Sequence, residues 1–195
     1  MKRMKKIILL GCLYLLLCGK VDAQSTGIKT NLAHWAVGGT LNAGVEFSLN
    51  ERYTLEIGGG INPFMFQDNK KVKHWIIQPE LRYWKEDLFD GHFWGFHLLA
   101  GEYNVGGIDI PLGRLKVLKE HRYEGYAYGG GFSYGYQWKL STMWNFELSL
   151  GAGYAYLTFD EFKCVKCGEK LHSDDNHYLG VTKAAISLIY MIGKD

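Results

Sequence analysis

The chain of 195 residues contains only three prolines and four cysteines. It also lacks any stretch with the apolar period of a long amphipathic helix, and no apolar run after residue 23 is long enough to form a membrane-spanning helix. Two of the four cysteines fall within the first 18 residues, which leaves one close pair, Cys164 and Cys167. The lack of helical apolar periodicity and of a long apolar run argues against an α-helical fold, whether soluble or membrane-spanning.

The first 23 residues predict a cleaved signal peptide. A basic stretch at 2–6 precedes an apolar run over 7–18 that is short for a transmembrane helix, and Val21-Asp22-Ala23 fits cleavage after Ala23. Leu9-Leu10-Gly11-Cys12 loosely resembles a lipobox. We do not favour that alternative, because it would leave the apolar residues 13–18 beyond the modified cysteine.

Removal of residues 1–23 changes the charge of the remaining domain, residues 24–195. The signal peptide holds five of the 22 basic residues and one of the 20 acidic ones, so 17 basic and 19 acidic residues remain. The net charge of −2 gives no support for a nucleic-acid partner, which requires a basic face. The exported setting permits disulfides.

Apolar and aromatic residues alternate with small or polar ones in several segments, a pattern typical of β-strands. Residues 126–138 are the clearest case, with Tyr126, Phe132 and Tyr134 on one face and Gly131 and Ser133 on the other. The same alternation runs through 40–49, 53–62 and 144–156, and less regular runs occur at 26–35, 74–84, 92–104 and 178–192. About eight strands result, each long enough for a tilted strand to cross a bilayer.

The aromatic face is too large to fit inside an eight-stranded barrel, whose interior is just wide enough for side chains to fill. Short connections at 50–52, 85–91 and 139–143 alternate with long ones at 63–73, 105–125 and 158–177, as in outer-membrane barrels. We therefore predict an all-β, eight-stranded antiparallel up-and-down transmembrane β-barrel. The alternative is a secreted soluble β-sandwich that buries the aromatic residues between two sheets.

Two local features follow from this assignment. Pro79 lies inside the predicted strand 74–84, where it cannot donate a ladder hydrogen bond, so we expect a bulge or a local distortion there. Aromatic residues beside the short connections should form an interfacial girdle on the periplasmic side. They are Tyr53, Tyr83, Phe93, Trp94, Trp138 and Trp144.

Several stretches resemble domain-of-unknown-function family 3575. They are HWIIQPELRYW (74–84), GHFWGFHLLAGEYNVGGI (91–108), RYEGYAYGGGFSYGYQW (122–138), the Cys-x-x-Cys-Gly at 164–168 and TKAAISLIY (182–190). The resemblance implies a small Gram-negative outer-membrane barrel, often encoded beside fimbrial genes, and hence an accessory part in surface fimbria assembly or display with fimbrial or other surface proteins as partners. It transfers no catalytic residue, because the family has no established activity.

Charged residues are expected to face the lumen and to pair there. An eight-stranded barrel favours an internal salt-bridge network over a pore, because unpaired buried charge is costly. The acidic groups outnumber the basic ones, so some carboxylates are expected to be protonated or hydrated. The expected members are Lys29, Glu46, Glu56, Glu80, Arg82, His97, Glu102, Glu147 and Lys183.

The loop 105–125 carries a basic patch formed by Arg114, Lys116, Lys119 and Arg122. Such clusters recognise phosphate, so this loop could bind lipopolysaccharide or a partner protein. The simpler interpretation is a solvated loop. A barrel that binds a small solute or lipopolysaccharide through its lumen or loops is the alternative function.

The segment FKCVKCGEKLHSDDNH (162–177) holds two cysteines and two histidines. In an oxidising location Cys164 and Cys167 are expected to form a disulfide. A zinc site formed by Cys164, Cys167, His172 and His177 is a weaker alternative, and a redox role is weaker still.

No catalytic or cofactor site is expected. The glycines at 129–131 lie within a strand and lack the Lys-Ser/Thr of a phosphate loop. Ser133 is lumenal by parity, and the sequence identifies no histidine and acid that would act with it.

Overall fold

The computed structural model describes residues 26–36, 39–64, 71–107, 121–163 and 168–193. Eight antiparallel strands follow one another around a closed barrel, and the first strand pairs with the last. The strands are β1 (Thr26–Asn31), β2 (Leu41–Ser48), β3 (Tyr53–Asn62), β4 (Lys71–Trp84), β5 (Gly91–Gly106), β6 (Arg122–Lys139), β7 (Trp144–Phe162) and β8 (Lys170–Ile192), and a short helix α1 spans Leu32–Ala36.

The predicted all-β fold of eight antiparallel strands is confirmed, and the alternative of a two-sheet sandwich is wrong because the strands form one ring. The predicted signal peptide, residues 1–23, lies outside the described residues and stays a prediction. Among the residues that are described, no helix is long and apolar enough to cross a membrane.

The barrel is polar inside and apolar outside. Gln137 and Glu147 are fully buried in the interior, whereas Phe132 and Leu150 on the same two strands are 71% and 60% exposed. The distribution follows from period-2 alternation, which sends successive side chains to opposite faces of the wall. It reverses the order of a soluble protein, in which apolar side chains fill the core.

The turn between β4 and β5 folds into the barrel and fills its short-turn end. Phe89 is fully buried there against Ile189 and Met191. Its backbone has a φ of 60°, a left-handed conformation that is rare for a bulky residue. Its carbonyl accepts hydrogen bonds from Asn145 Nδ2 (2.9 Å) and Gln137 Nε2 (3.2 Å), which hold the turn in this position.

The predicted girdle beside the short turns requires one correction. Phe93 is fully buried in the interior, because it lies on the inward-facing residues of β5. The other five residues have at least 40% of their surface exposed on the outer face: Tyr53, Tyr83, Trp94, Trp138 and Trp144.

Pro79 does not create a bulge. Pairing between β4 and β5 runs from Ile77 opposite Ala100 to Glu80 opposite His97, and it skips Gln78 and Pro79 without a change of register. The missing N–H of proline therefore interrupts the ladder locally and inserts no residue.

The pairing of β7 with β8 shifts register twice, between Glu161 and Phe162 and between Gly151 and Ala152, and the second shift is a bulge in the middle of β8. Lys183 pairs with Gly151 and Val181 pairs with Ala152, so Thr182 is the extra residue. The side chains of both Thr182 and Lys183 consequently reach into the barrel, where they contact His97 and Glu80 respectively.

Two predicted element boundaries differ from the structure. The run 26–35 is a strand only to Asn31, whose Oδ1 accepts the N–H of Ala33 (3.0 Å) and so caps helix α1. The predicted loop 158–177 is largely strand, because β7 continues to Phe162 and β8 begins at Lys170. Polar and apolar side chains mix on both faces of that hairpin, so the alternation that identifies a half-buried strand is absent there.

We expect Phe89→Ala to lower the free energy of unfolding by about 3–5 kcal/mol, because it leaves a cavity at the closed end of the barrel. Urea unfolding of the protein refolded in lipid vesicles measures this change. Leu140→Ala is the control, because Leu140 is 62% exposed at the same end of the barrel, and we expect it to cost less than about 0.5 kcal/mol. Equal losses in the two variants would contradict the plugging role of Phe89.

Candidate functional site

Arg82 lies at the centre of the barrel and contacts four glutamates. Its Nε donates to Glu80 Oε1 (2.8 Å) and its Nη1 donates to Glu46 Oε2 (2.8 Å). Nη1 and Nη2 donate to the two oxygens of Glu147 at 2.8 and 3.1 Å, and Nη2 also contacts Glu56. The planar guanidinium suits this role, because it presents five donors in a fixed geometry.

Two lysines from the neighbouring strands β1 and β8 complete the charge cluster. Lys29 Nζ lies 2.7 Å from Glu46 Oε2 and 2.9 Å from Glu147 Oε2. Lys183 Nζ lies 2.5 Å from Glu80 Oε2 and 3.3 Å from Glu56 Oε2. All these side chains are at most 9% exposed, so each charge depends on its partners rather than on water.

Neutral groups also donate to two of the carboxylates. Thr54 Oγ1 donates to Glu46 Oε1 (2.6 Å) and in turn accepts the indole N–H of Trp84 (2.9 Å). Ser149 Oγ donates to Glu147 Oε1 (3.1 Å). The predicted lumenal set does not include these three residues, although strand parity identifies them, since each lies two positions from a charged lumenal residue and therefore on the same face.

The ring of Phe93 packs against the guanidinium of Arg82. The Cζ of Arg82 lies 4.3 Å from the centre of the Phe93 ring, within the range of a cation–π contact. Gly135 makes room for that ring, because a Cβ on Gly135 would lie 2.3 Å from the Phe93 Cζ. The inward orientation of Phe93 is thus part of the charge cluster.

The cluster ties together six of the eight strands: Lys29 on β1, Glu46 on β2, Glu56 on β3, Glu80 and Arg82 on β4, Glu147 on β7 and Lys183 on β8. The four glutamates and three cations are also in contact across the full width of the lumen. Their arrangement fixes the strands relative to one another and fills the middle of the barrel.

Of the nine predicted lumenal residues, Glu102 is on the wrong side. It is exposed on the outer face of β5, where its Oε2 accepts the indole N–H of Trp75 (3.1 Å). His97 is fully buried, and its Nε2 lies 2.9 Å from Thr182 Oγ1. The two residues are five positions apart on one regular strand, so they cannot share a face.

A small cavity lies beside the charge cluster. It has a volume of about 40 Å³, and Lys29, His34, Asn42, Gln78 and Lys183 contribute to its walls. Space of this size holds a few water molecules. It is far below the 300–1,000 Å³ or so of an ordinary small-molecule site.

Ser133 and His97 do not form a nucleophile–base pair. Ser133 Oγ is buried and has no hydrogen-bond partner among the described residues, and neither has His97 Nδ1. The other ring nitrogen of His97 is engaged by Thr182. A catalytic serine requires a base within hydrogen-bond reach, and this structure does not bring one to Ser133.

The three longest strands, β6, β7 and β8, form an extension of the wall toward the long connections, and the end of β5 pairs with its β6 edge from Tyr103 to Gly106. Inside it, Glu161 Oε1 lies 2.5 Å from His121 Nδ1, and Glu161 Oε2 lies 3.4 Å from His172 Nε2. Burial, together with the neighbouring Glu161 carboxylate, raises the pKa of Tyr123 to about 12. On the outer side, hydrogen bonds from Lys170 and Ser173 lower the pKa of Asp160.

The predicted basic patch falls mainly outside the described residues, which include none of Arg114, Lys116 and Lys119. Arg122 is the first residue of β6. Its Nη1 lies 3.2 Å from Glu124 Oε1, and its guanidinium lies over the ring of Phe162 at 4.1 Å.

Cys164 and Cys167 also lie outside the described residues, so their disulfide stays a prediction. The two histidines of the zinc alternative project to opposite faces of β8. His172 contacts Glu161, whereas His177 lies 2.5 Å from the Tyr154 hydroxyl and packs against Tyr156. The structure therefore does not bring these two histidines together.

A family model described as "Protein of unknown function (DUF3575)" matches residues 8–192, nearly the whole chain. The chain belongs to this family. No curated protein and no solved structure matches it. The family description names no activity, so any functional conclusion depends on the geometry given above.

Because the cluster has one more carboxylate than cations, we expect it to tolerate loss of a carboxylate better than loss of a cation. Glu56→Gln leaves three carboxylates and three cations, so we expect a loss of less than about 1.5 kcal/mol in the free energy of unfolding. Lys183→Met leaves four carboxylates and two cations, so we expect a loss of about 3–5 kcal/mol. Urea unfolding in lipid vesicles measures both variants.

Lys139→Met is the matched control for loss of a lysine, because Lys139 and Asp90 form an exposed ion pair at the short-turn end of the barrel. We expect it to cost less than about 1 kcal/mol. If Glu56→Gln proved as costly as Lys183→Met, the excess of negative charge would not govern the stability of the cluster.

Proposed function

We propose that this protein is an outer-membrane β-barrel with a structural or accessory, non-enzymatic role at the cell surface. The observation that carries the proposal is the apolar outer face of a barrel whose buried charges are gathered in one cluster inside. Leu81, Phe96, Leu98, Phe132 and Leu150 are between 43% and 71% exposed on that face. Contiguous exposed apolar surface of this kind marks a membrane or interaction surface.

Aromatic residues border the apolar face at both ends. Trp94, Trp138 and Trp144 lie beside the short turns, and Trp75 and Tyr126 lie toward the long connections. Trp and Tyr favour the two membrane–water interfaces, because their rings are amphipathic. The bands thus support an orientation in which the short turns face the periplasm and the β6–β8 extension lies outside the cell.

The interior favours a structural role over binding or transport of a small solute. Charged side chains in mutual contact fill its middle, Phe89 fills the short-turn end, and the cavity of about 40 Å³ is too small for a metabolite. Lipid and lipopolysaccharide are then the surroundings of the barrel rather than ligands of its lumen.

The proposed part in fimbria assembly or display comes from the family resemblance. The extension of β6, β7 and β8 supports it physically, because it supplies a surface beyond the membrane for contact with another surface protein. Fimbrial subunits or their anchors are the proposed partners.

Labelling of intact cells tests membrane insertion and orientation. We expect a membrane-impermeant maleimide to label the chain only after mild reduction, because Cys164 and Cys167 are predicted to form a disulfide on a surface loop. A Cys164→Ala, Cys167→Ala variant is the control and should stay unlabelled. Labelling only in broken cells would overturn the proposed topology, and labelling without reductant would overturn the disulfide.

A deletion strain tests the accessory role. We expect loss of the gene to reduce the number or length of surface fimbriae seen by electron microscopy, with recovery when the gene is restored. A strain that restores the barrel with residues 158–177 replaced by a short turn separates the extension from the barrel. Normal fimbriae in the deletion strain would contradict the accessory role and leave the membrane assignment untouched.

A further inference from the structure

Strand β8 is paired along only part of its length on one side. It pairs with β7 from Lys170 to Tyr190, but β1 covers only Ser187 to Ile192. Among the described residues, no strand pairs with the other side of β8 from Lys170 to Ile186. A long unpaired strand edge is a template for addition of another strand, and proteins usually block it.

Hydrogen bonds near the bulge show which residues of β8 face this edge. Met191 donates its N–H to Met143 on the β7 side (2.8 Å), whereas Ile186 donates to Asn31 Oδ1 on the β1 side (3.1 Å). From Ala184 to the end of β8, the backbone groups of even-numbered residues therefore face this edge. The extra residue at the bulge reverses the order, so from Ser173 to Val181 the odd-numbered residues face it.

The backbone of Asp175 agrees with this assignment. Its N–H is accepted by the Asp174 carboxylate (2.9 Å) and so is not directed to β7. By the same alternation, Ser173, His177 and Leu179 direct their N–H and C=O groups to the open edge.

Side chains bond three backbone groups on the lower part of the edge, at Val181, Ala184 and Ile186. Asn31 Nδ2 donates to the carbonyl of Ala184 (3.0 Å) while its Oδ1 accepts from Ile186. The Tyr178 hydroxyl donates to the carbonyl of Val181 (3.2 Å). Below Tyr178 the edge faces lipid in the proposed orientation, where unsatisfied backbone groups are costly. From Leu171 to His177 the edge is exposed, and Ser173 and His177 present open backbone groups on either side of Asp175, whose N–H bonds to Asp174.

The charges beside the open edge define the partner. Lys170 is paired with Asp160 (2.7 Å), which leaves Asp174 and Asp175 without a lysine or arginine partner among the described residues. The nearest basic group is His177 Nε2, 3.8 Å from Asp175 Oδ2. A second copy would bring the same acidic pair to the same edge, so like charges disfavour self-pairing. A strand with lysine or arginine side chains fits.

We infer that residues 171–177 of β8 form a docking edge to which an extended, basic segment of another surface protein adds as a further strand. Main-chain hydrogen bonds along the edge supply the affinity, and the carboxylates of Asp174 and Asp175, one on each face of the strand, favour a basic sequence. This inference rests on the proposed function for the exposure of the edge to the cell exterior. The pairing itself depends only on the fold.

Peptide binding to the purified protein in detergent tests the inference without a membrane. The probe is a peptide of about ten residues that alternates lysine with valine, and its counterpart carries N-methyl groups on alternate residues so that it cannot pair. Fluorescence anisotropy gives the affinity, and amide hydrogen exchange shows the position. We expect the first peptide alone to bind and to protect the amides of Ser173 and His177.

Adjacent proline substitutions provide matched variants. Asp175→Pro places a ring on the open edge and keeps the bonds to β7, since proline is tolerated on edge strands. Asp175→Ala removes only the charge. We expect Asp175→Pro to weaken binding at least about tenfold and Asp175→Ala by a smaller factor. Asp174→Pro interrupts pairing with β7 and shows the exchange pattern of a disrupted hairpin.

Three results would overturn the inference: no binding at millimolar peptide, equal binding of the N-methylated peptide, or equal binding by a folded Asp175→Pro variant. Conversion of a dimer to a monomer by Asp175→Pro in sedimentation would make a second copy the occupant and would also overturn it. None of these results bears on membrane insertion, which the maleimide labelling tests separately.

Discussion

The contact of one guanidinium with four carboxylates governs the interior of this barrel. Arg82 reaches Glu46, Glu56, Glu80 and Glu147, which come from four different strands. Removal of these charges from water is costly, and their mutual attraction offsets the cost only when each charge keeps its partners. The cluster therefore forms only when β2, β3, β4 and β7 have their native register, and it selects that register over a slipped one.

The rest of the molecule follows from where the charges are placed. A barrel that gathers its charged side chains in the lumen leaves apolar side chains for the outer face, because successive residues point to opposite sides. Small residues make the packing possible: a Cβ on Gly95 would lie 2.4 Å from both Glu80 Oε1 and Ser133 Oγ. Glycine usually weakens a strand. In this barrel it leaves the space that large charged side chains need in a narrow lumen.

Strand parity explains both what the sequence predicts well and where it fails. Alternation in 126–138 and 144–156 identifies β6 and β7 and places Glu147 inside. The same rule applied to β5 separates His97 from Glu102, and Phe93 from Trp94, so those two errors came from incomplete use of parity and not from missing information. The same rule correctly places Glu80 and Arg82 on one face, because they lie two residues apart, and their side chains are in contact.

Other features had no local signal. The bulge at Thr182 appears only when β8 is aligned with β7, and it is what turns both Thr182 and Lys183 inward. The turn that carries Phe89 into the barrel depends on the hydrogen bonds that the Phe89 carbonyl accepts from the side chains of Gln137 and Asn145, which are distant in sequence. The end of β1 at Asn31 depends on a cap and on the partner strand. Each is a consequence of contacts between residues far apart in sequence.

Asn31 connects closure of the barrel with its open edge. One side chain ends β1, starts helix α1 and satisfies the backbone of β8 at Ala184 and Ile186. A longer β1 would cover β8 further and remove the edge, whereas a shorter one would leave the backbone groups of Ala184 and Ile186 without their Asn31 partner. The position of this asparagine therefore sets the height at which β8 changes from a wall strand, paired on both sides, into an edge that another strand can extend.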